Sequence, residues 1–359
     1  MKTRTSKNRK LAICAKVCIA DFERVPSIIK ISVVVPVRNE AKTIRSLLDG
    51  LLNQSQLPDE IVLTDGGSVD ETRAIIQDFI QQGFPVKLLT DDDSLPGRSR
   101  NIGVANAKND WIAFIDAGIT PSNGWLQSLA DQVESPAHAE VVYGSYEPVI
   151  EGFFTECAAI AYVPPPTLTP EGPVRPYSIA SALMPRSAWE AAGGFPEDLR
   201  SAEDMLFMQR VEAAGFRIVR APSAIVHWTI QPGWWLTFKR FVVYARNNMR
   251  AGLWRDWQRQ IFLRYALLAL TAMPALFFGV RWLIVPIALW FAMMTARALR
   301  AVWQNRLSYP AGNGRNVLRL LLIVPILAVI DLATFVGTVQ WLLLDALRDR
   351  VRKGNDMLR

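Results

Sequence analysis

Between residues 31 and 115, four strand-like apolar runs alternate with stretches of helical periodicity, and this alternation constrains the fold more than any other feature. The first run, Ile31-Ser32-Val33-Val34-Val35, is rich in β-branched residues and stops at Pro36, as a buried strand would. A helix follows over 41–52, where Ile44, Leu47, Leu48 and Leu51 recur at helical spacing. The second run, 60–64, ends at Asp65-Gly66-Gly67-Ser68, and the next helix covers about 70–82. The third, 86–89, leads into Asp91-Asp92-Asp93, after which Pro96-Gly97-Arg98-Ser99-Arg100-Asn101 opens a helix reaching about Ala107. The fourth, Trp111-Ile112-Ala113-Phe114-Ile115, delivers Asp116 to its C-terminal end before Ala117-Gly118 and Pro121 break the pattern. Such an order argues for an α/β domain with a mostly parallel sheet covered on both faces. Ligands of open α/β sheets bind beyond the carboxyl ends of the strands, where Asp65 and Asp116 stand. Asp116 is read there either as a ligand for a metal or a phosphate-bearing group, or as a solvated turn residue.

After Trp125 the pattern loosens, with short strands expected at 141–143 and 181–184 and a turn at Gly193-Gly194-Phe195-Pro196. The Pro-rich segment 164–176 reads as a long loop of the kind that forms lids or binding elements. Glu203-Asp204 opens a helix over 205–214, where acids also suit the N-terminal dipole. A strand over 218–226 ends at His227.

Composition divides the 359-residue chain into a soluble part, 30–230, and a part dominated by apolar runs, 261–345. Between them, 231–260 interleaves Trp and Phe with Lys and Arg, as a helix lying in a membrane interface would. The runs 265–280 and 282–296, divided by Arg281, are at or just below the spanning limit, whereas 320–344, interrupted by Asp331, can span with tilt. Three spans beneath a cytoplasmic domain would export the tail LRDRVRKGNDMLR, which the positive-inside rule disfavours. Either one run is interfacial or re-entrant, or the bias is overridden. Asp331 is expected to face protein or water.

The net charge of +7 collects in 1–16, 239–264 and 348–359, beside apolar helices, which points to an anionic membrane surface and not to nucleic acid. The three cysteines, Cys14, Cys18 and Cys157, form no metal-ligand pattern and no disulfide framework, and fit a reducing compartment. Lys16 interrupts the apolar part of 11–20, so residues 1–29 read as a basic tail or short amphipathic segment and not a signal peptide. The globular domain is accordingly expected in the cytoplasm, and 346–359 forms a second basic tail.

Four segments now carry a family. VVVPVRNE, IVLTDGGSVDET, PGRSRNIGVANAKNDWIAFIDAG followed by PSNGWL, and GGFPEDLRSAEDMLFMQRV resemble, in their order and spacing, the family-2 glycosyltransferases over residues 31 to about 230. The resemblance implies a Rossmann-like GT-A catalytic domain followed by an α-helical membrane region. It also implies a nucleotide-diphosphate sugar donor, with Pro36, Arg38, Glu40 and Asp65 lining the nucleotide pocket and Asp91 or a neighbour close to the base. Gly97, Arg98 and Asn101 match a segment that usually lies near the donor, where Arg98 would meet a phosphate. Asp116 matches the first acid of the family's Asp-X-Asp motif, but Gly118 stands where the second should be. That departure weakens metal binding or changes which groups complete the shell of the expected Mg²⁺ or Mn²⁺. His227 matches a position that often supplies a metal-binding His, and Asp204 matches the catalytic base of an inverting displacement. The Gln-X-X-Arg-Trp motif of processive synthases has no match in Gln231-Pro232-Gly233-Trp234-Trp235 or Lys239-Arg240-Phe241, which favours one or a few transfers to a lipid-linked or glycan acceptor. The whole implies an integral membrane enzyme, expected in a bacterial inner membrane. The alternative of another class is a non-catalytic relative that binds a nucleotide sugar as a membrane assembly partner.

Overall fold

The computed structural model describes residues 29–135, 139–170 and 172–346; the basic segments at both ends, with Cys14 and Cys18, lie outside the described residues. The first half alternates as expected: β1 (Ile31–Val37), α1 (Ile44–Leu52), β2 (Glu60–Asp65), α2 (Thr72–Gln81), β3 (Val86–Thr90), α3 (Pro96–Asn106) and β4 (Trp111–Phe114). Strands β3, β2, β1 and β4 lie side by side and parallel. The apolar positions of α1 foreseen from its spacing, Ile44, Leu47, Leu48 and Leu51, are the ones it buries. Along β1, Val33 and Val35 enter one core with α1, while Val34 enters a second core with Phe114 and Phe207, the alternation a two-sided sheet demands.

Pro36 does not end β1, as the sequence implied, but lies inside it. The carbonyls of Val34 and Val37 point to opposite neighbours, accepting from Ile115 and Gly66, so Pro36 faces the β4 side. Strand β4 has ended there at Phe114, and the missing N–H leaves no gap in the ladder.

The second half continues with β5 (Ile119–Pro121), α4 (Trp125–Glu134), β6 (Val141–Val149), α5 (Phe153–Tyr162), β7 (Thr167–Thr169), β8 (Gly172–Val174), β9 (Ala182–Pro185), α6 (Arg186–Ala191), α7 (Glu203–Ala213) and β10 (Ile218–Thr229). The main sheet runs β3-β2-β1-β4-β9-β6-β10-β5, with β9 antiparallel to β4 and β6, and β5 antiparallel to β10. The segment 164–176 differs from the expected plain loop, because β7 and β8 pair in it as a small hairpin. Strand β10 likewise runs past His227, since it pairs with β6 as far as Thr229.

Beyond the sheet come α8 (Trp234–Arg250), α9 (Trp254–Trp257), α10 (Arg259–Ala272), α11 (Ala275–Phe278), α12 (Ile284–Gln304) and α13 (Asn313–Gln340), the last continued by a wider turn, Trp341–Ala346. Arg259–Phe278, Val280–Gln304 and Asn313–Ala346 are long and apolar enough to cross a membrane. A third core joins α5, α12 and α13, with Cys157, Ile160, Met294, Ala298, Ile323 and Ile326 buried in it.

Candidate active site

The carboxyl ends of β1, β2 and β4 and the N-termini of α3 and α7 meet at one edge of the sheet. Asp65, at the end of β2, is fully buried, and its Oδ1 accepts from Gly67 N at 3.0 Å, Ser68 N at 2.9 Å and Arg73 Nε at 2.7 Å. Burial works against its charge, but the hydrogen bonds from Ser68, Arg73 and Gly67 outweigh it and hold the carboxyl below its usual value. Its Oδ2 is buried with no partner among the described residues. Asp91 and Arg98 form an ion pair that Glu197 extends at 3.2 Å, while Arg38 reaches the exposed Asp93 at 3.4 Å.

The residues expected from α3 divide into two roles. Gly97 is a packing position, because a Cβ there would run into the Pro196 carbonyl. Asn101 clamps the same loop: its Oδ1 accepts from Trp189 Nε1 at 3.0 Å and Phe195 N at 2.8 Å, and its Nδ2 donates to Phe195 O and Glu197 Oε1, both at 2.9 Å. What that clamp positions is Arg100, which the sequence reading passed over. The Arg100 guanidinium is buried over the Phe195 ring and donates to Asp116 Oδ1 and Glu203 Oε1, both at 2.7 Å. Arg100 shares the buried face of α3 with Gly97, Gly103 and Val104, where a charge requires partners.

Asp204 sits beside this ion-paired group on the first turn of α7 and is partly open to solvent, with its Oδ1 accepting from Met205 N at 2.9 Å. Burial, then the adjacent Glu203, raise its pKa to about 7; Arg100 and the Met205 N–H pull it down, and Asp116 adds to the rise. For Arg100 burial opposes the charge, but the facing carboxylates of Asp116, Glu203 and Asp204 leave its pKa above the ordinary value. Helix α7 begins at Ala202, a non-glycine residue in the left-handed region with φ 71°, so the chain bends sharply to present these two acids.

Helix α8, which the sequence did not tie to the site, is bound to the loop before α7, where Arg200 N donates to Asn247 Oδ1 at 3.3 Å. Burial raises the Tyr244 phenol; Arg240 opposes that, while Asp204, Asp116 and Glu203 add to it, so the ring lies within electrostatic range of the whole cluster. Arg240 stacks over Trp228 at 5.1 Å and has a buried Nη1 without a partner among the described residues.

His227 is exposed on β10, in register with Thr120 of β5 and Glu147 of β6. Among the described residues no three His, Cys, Asp or Glu converge on one point. The donor chemistry nevertheless fits a hard cation that takes most of its ligands from phosphate and water. Asp116 spends only Oδ1 on Arg100, and both Glu40 carboxylate oxygens lie 3.6 Å from where a Cβ on Gly118 would stand. A carboxylate from the β1–α1 connection thus faces the backbone where the second acid is missing.

Residues 32–165 match glycosyl transferase family 2, and residues 111–336 match glycosyl transferase family group 2. A pre-mycofactocin glycosyltransferase of Mycobacterium tuberculosis is 32% identical over 209 residues, which cover 56% of this chain and 43% of that protein. The chain therefore spans less than half the length of that relative. The succinoglycan biosynthesis protein ExoA of Rhizobium meliloti is 26% identical over 276 residues, 72% of this chain and 82% of that protein. Among solved structures, a mannosyltransferase from Pyrobaculum calidifontis in complex with GDP-Man and Mn²⁺ superposes with a TM-score of 0.53 at 17% identity, covering 88% of each chain, and shares the GT-A fold.

Proposed function

The chain belongs to the family-2 glycosyltransferases, and from that premise we propose that it moves a sugar from a nucleotide-diphosphate sugar to a lipid-linked or glycan acceptor at a membrane, with inversion at the anomeric carbon. One observation carries the reading: Asp204 stands on the first turn of α7 beside a buried Arg100 already paired with Asp116 and Glu203, and burial there pushes its carboxyl up to about 7. A carboxylate with that pKa is ionised for a useful fraction of the time near neutrality and still accepts a proton well.

In this reading the acceptor hydroxyl gives its proton to Asp204 as its oxygen attacks the anomeric carbon, and the bond to the nucleotide diphosphate breaks on the opposite side. The buried, unpartnered Oδ2 of Asp65 accepts a hydrogen bond from the nucleoside, and Pro36, Arg38, Glu40, Asp91 and Arg98 line the remaining approach. Gly97 and Asn101 hold the loop that fixes Arg100, beside the approach to the donor. Asp116 would hold a divalent cation, Mg²⁺ or Mn²⁺, with Glu40 and, from β10, His227 as the further candidate ligands, and the ion would supply positive charge to the departing diphosphate. The bacterial inner membrane, with this domain in the cytoplasm, is the compartment the reading implies.

The test is Asp204→Asn, with transfer and donor binding measured separately against a panel of radiolabelled nucleotide sugars, with and without Mn²⁺. Transfer is expected to fall about 10²- to 10⁴-fold while binding is kept. Unchanged turnover removes Asp204 as the base, and binding without any turnover by the unaltered chain favours the non-catalytic alternative.

A further inference from the structure

Helix α13 is the longest apolar element, and it is fastened to the catalytic side at both ends. Near its start, Arg315 and Arg319 enclose the Glu156 carboxylate of α5, with Arg319 Nε at 2.7 Å. Near its end, Asp345 receives Arg246 of α8 through both oxygens, at 2.7 and 2.9 Å. Between them Gly337 lets α8 in so closely that a Cβ would run into the Val242 carbonyl and lie 2.8 Å from the Ala245 Cβ. Helix α8 cannot lie in hydrocarbon. It carries Lys239, Arg240, Arg246, Asn247, Asn248 and Arg250, and it is tied to the sheet domain by Arg200 N donating to Asn247 Oδ1 at 3.3 Å and by Arg250 pairing with Asp198 at 3.2 Å.

The two anchoring ion pairs stand on the order of 40 Å apart along the helix axis, more than the ~30 Å hydrocarbon core. A crossing helix would carry them to opposite sides of the membrane, and α8 would have to follow. We propose that α13 does not cross: it lies along the bilayer surface on the catalytic side, and only the hairpin of α10, α11 and α12 spans the bilayer.

The exposure pattern agrees. Leu318, Leu321, Leu332, Val339 and Leu343 form an open stripe along the whole of α13, while Ile323, Ile326, Leu327, Ile330 and Ala333 on other faces are buried. One face of α13 thus packs on protein and the other is an apolar surface open to acyl chains along its length. The most apolar window of α13 is 44% buried, against 6% and 11% in the two arms of the hairpin. Those arms meet α13 near their bases, where Tyr265 and Arg297 reach Asp331 and Phe262 packs on Phe335. Farther out, Leu268 and Ala269 face Pro286, Ile287 and Trp290 across an apolar groove, and the tip exposes Phe277, Phe278 and Trp282. Two crossings keep the basic tail LRDRVRKGNDMLR on the catalytic side, as the positive-inside rule favours, and so remove the conflict that three spans created.

The experiment places single cysteines in the full chain, with Cys14 and Cys18 replaced by Ser and Cys157 by Ala, and labels membrane vesicles of known sidedness with an impermeant maleimide. Val69→Cys reports the sheet domain, Asn355→Cys the tail and Arg281→Cys the hairpin tip. Val69→Cys and Asn355→Cys are expected to label from one side and Arg281→Cys from the other. Labelling of Asn355→Cys from the side opposite Val69→Cys overturns the in-plane α13, and labelling of Arg281→Cys from the Val69 side overturns the spanning hairpin. A C-terminal phosphatase fusion gives the same answer where a cysteine variant fails to accumulate. Neither readout depends on sugar transfer.

Discussion

At Asp204 burial first, and then the neighbouring charges, set the pH at which the carboxyl can accept a proton. Raised to about 7, it is protonated and idle below that value, so kcat is expected to climb with pH through about 7 and then level off. A flat profile between about pH 5 and 9 would separate Asp204 from the chemistry. The stability effect has the same origin. The folded pKa lies above the ordinary carboxyl value of 3.8 in the unfolded chain, so the group favours the folded state below 3.8 and loses this contribution as pH rises through about 7. Asp204→Asn is therefore expected to raise Tm at pH above about 7, with the gain shrinking towards acid pH. Asp204 and Asp116 were legible because strand ends and helix starts can be read from local pattern. Arg100 was not, since its partner Glu203 is more than a hundred residues away in sequence, and nothing local reports a charge buried by a distant helix.

Among the elements, those with a strong period of their own were the legible ones. The β-branched run of β1 and the four apolar positions of α1 came directly from spacing. The antiparallel insertion of β9 between β4 and β6 did not, because strand order is decided by long-range pairing and not by composition. The hairpin β7–β8 was hidden by the prolines around it. The contact of α8 with α13 belongs to the same class, as hydropathy describes a helix without its neighbour. Gly337 is its most sensitive point. Gly337→Leu should cost about 1–3 kcal/mol through overpacking, read as a lower melting temperature in detergent, and should reduce transfer more than donor binding, because Tyr244 moves with α8. Unaltered melting would mean that the two helices do not pack this closely.

For the molecule as a whole, one buried polar group stands within the apolar joint between the proposed membrane hairpin and the catalytic unit. Arg297 donates to both oxygens of the buried Asp331, at 2.5 and 3.0 Å, Tyr265 adds a third bond at 3.2 Å, and Trp290 Nε1 donates to the Tyr265 hydroxyl at 3.1 Å. Removing one charge leaves the other buried and unpaired, so Asp331→Leu should destabilise by about 3–5 kcal/mol. The double change Asp331→Leu with Arg297→Leu should recover most of that loss, as thermal denaturation in lipid nanodiscs would measure; a double variant as unstable as the single one would argue against a paired joint. With α13 in the surface, one further consequence concerns reach. Helix α8 packs on α13 with one face, and its Tyr244 lies within electrostatic range of Asp204, so in the proposed arrangement about one helix diameter, on the order of 10 Å, would separate the proposed base from the headgroups. There such a spacer would work as a ruler, bringing a hydroxyl close above its lipid anchor into line and leaving the growing end of a long glycan beyond reach.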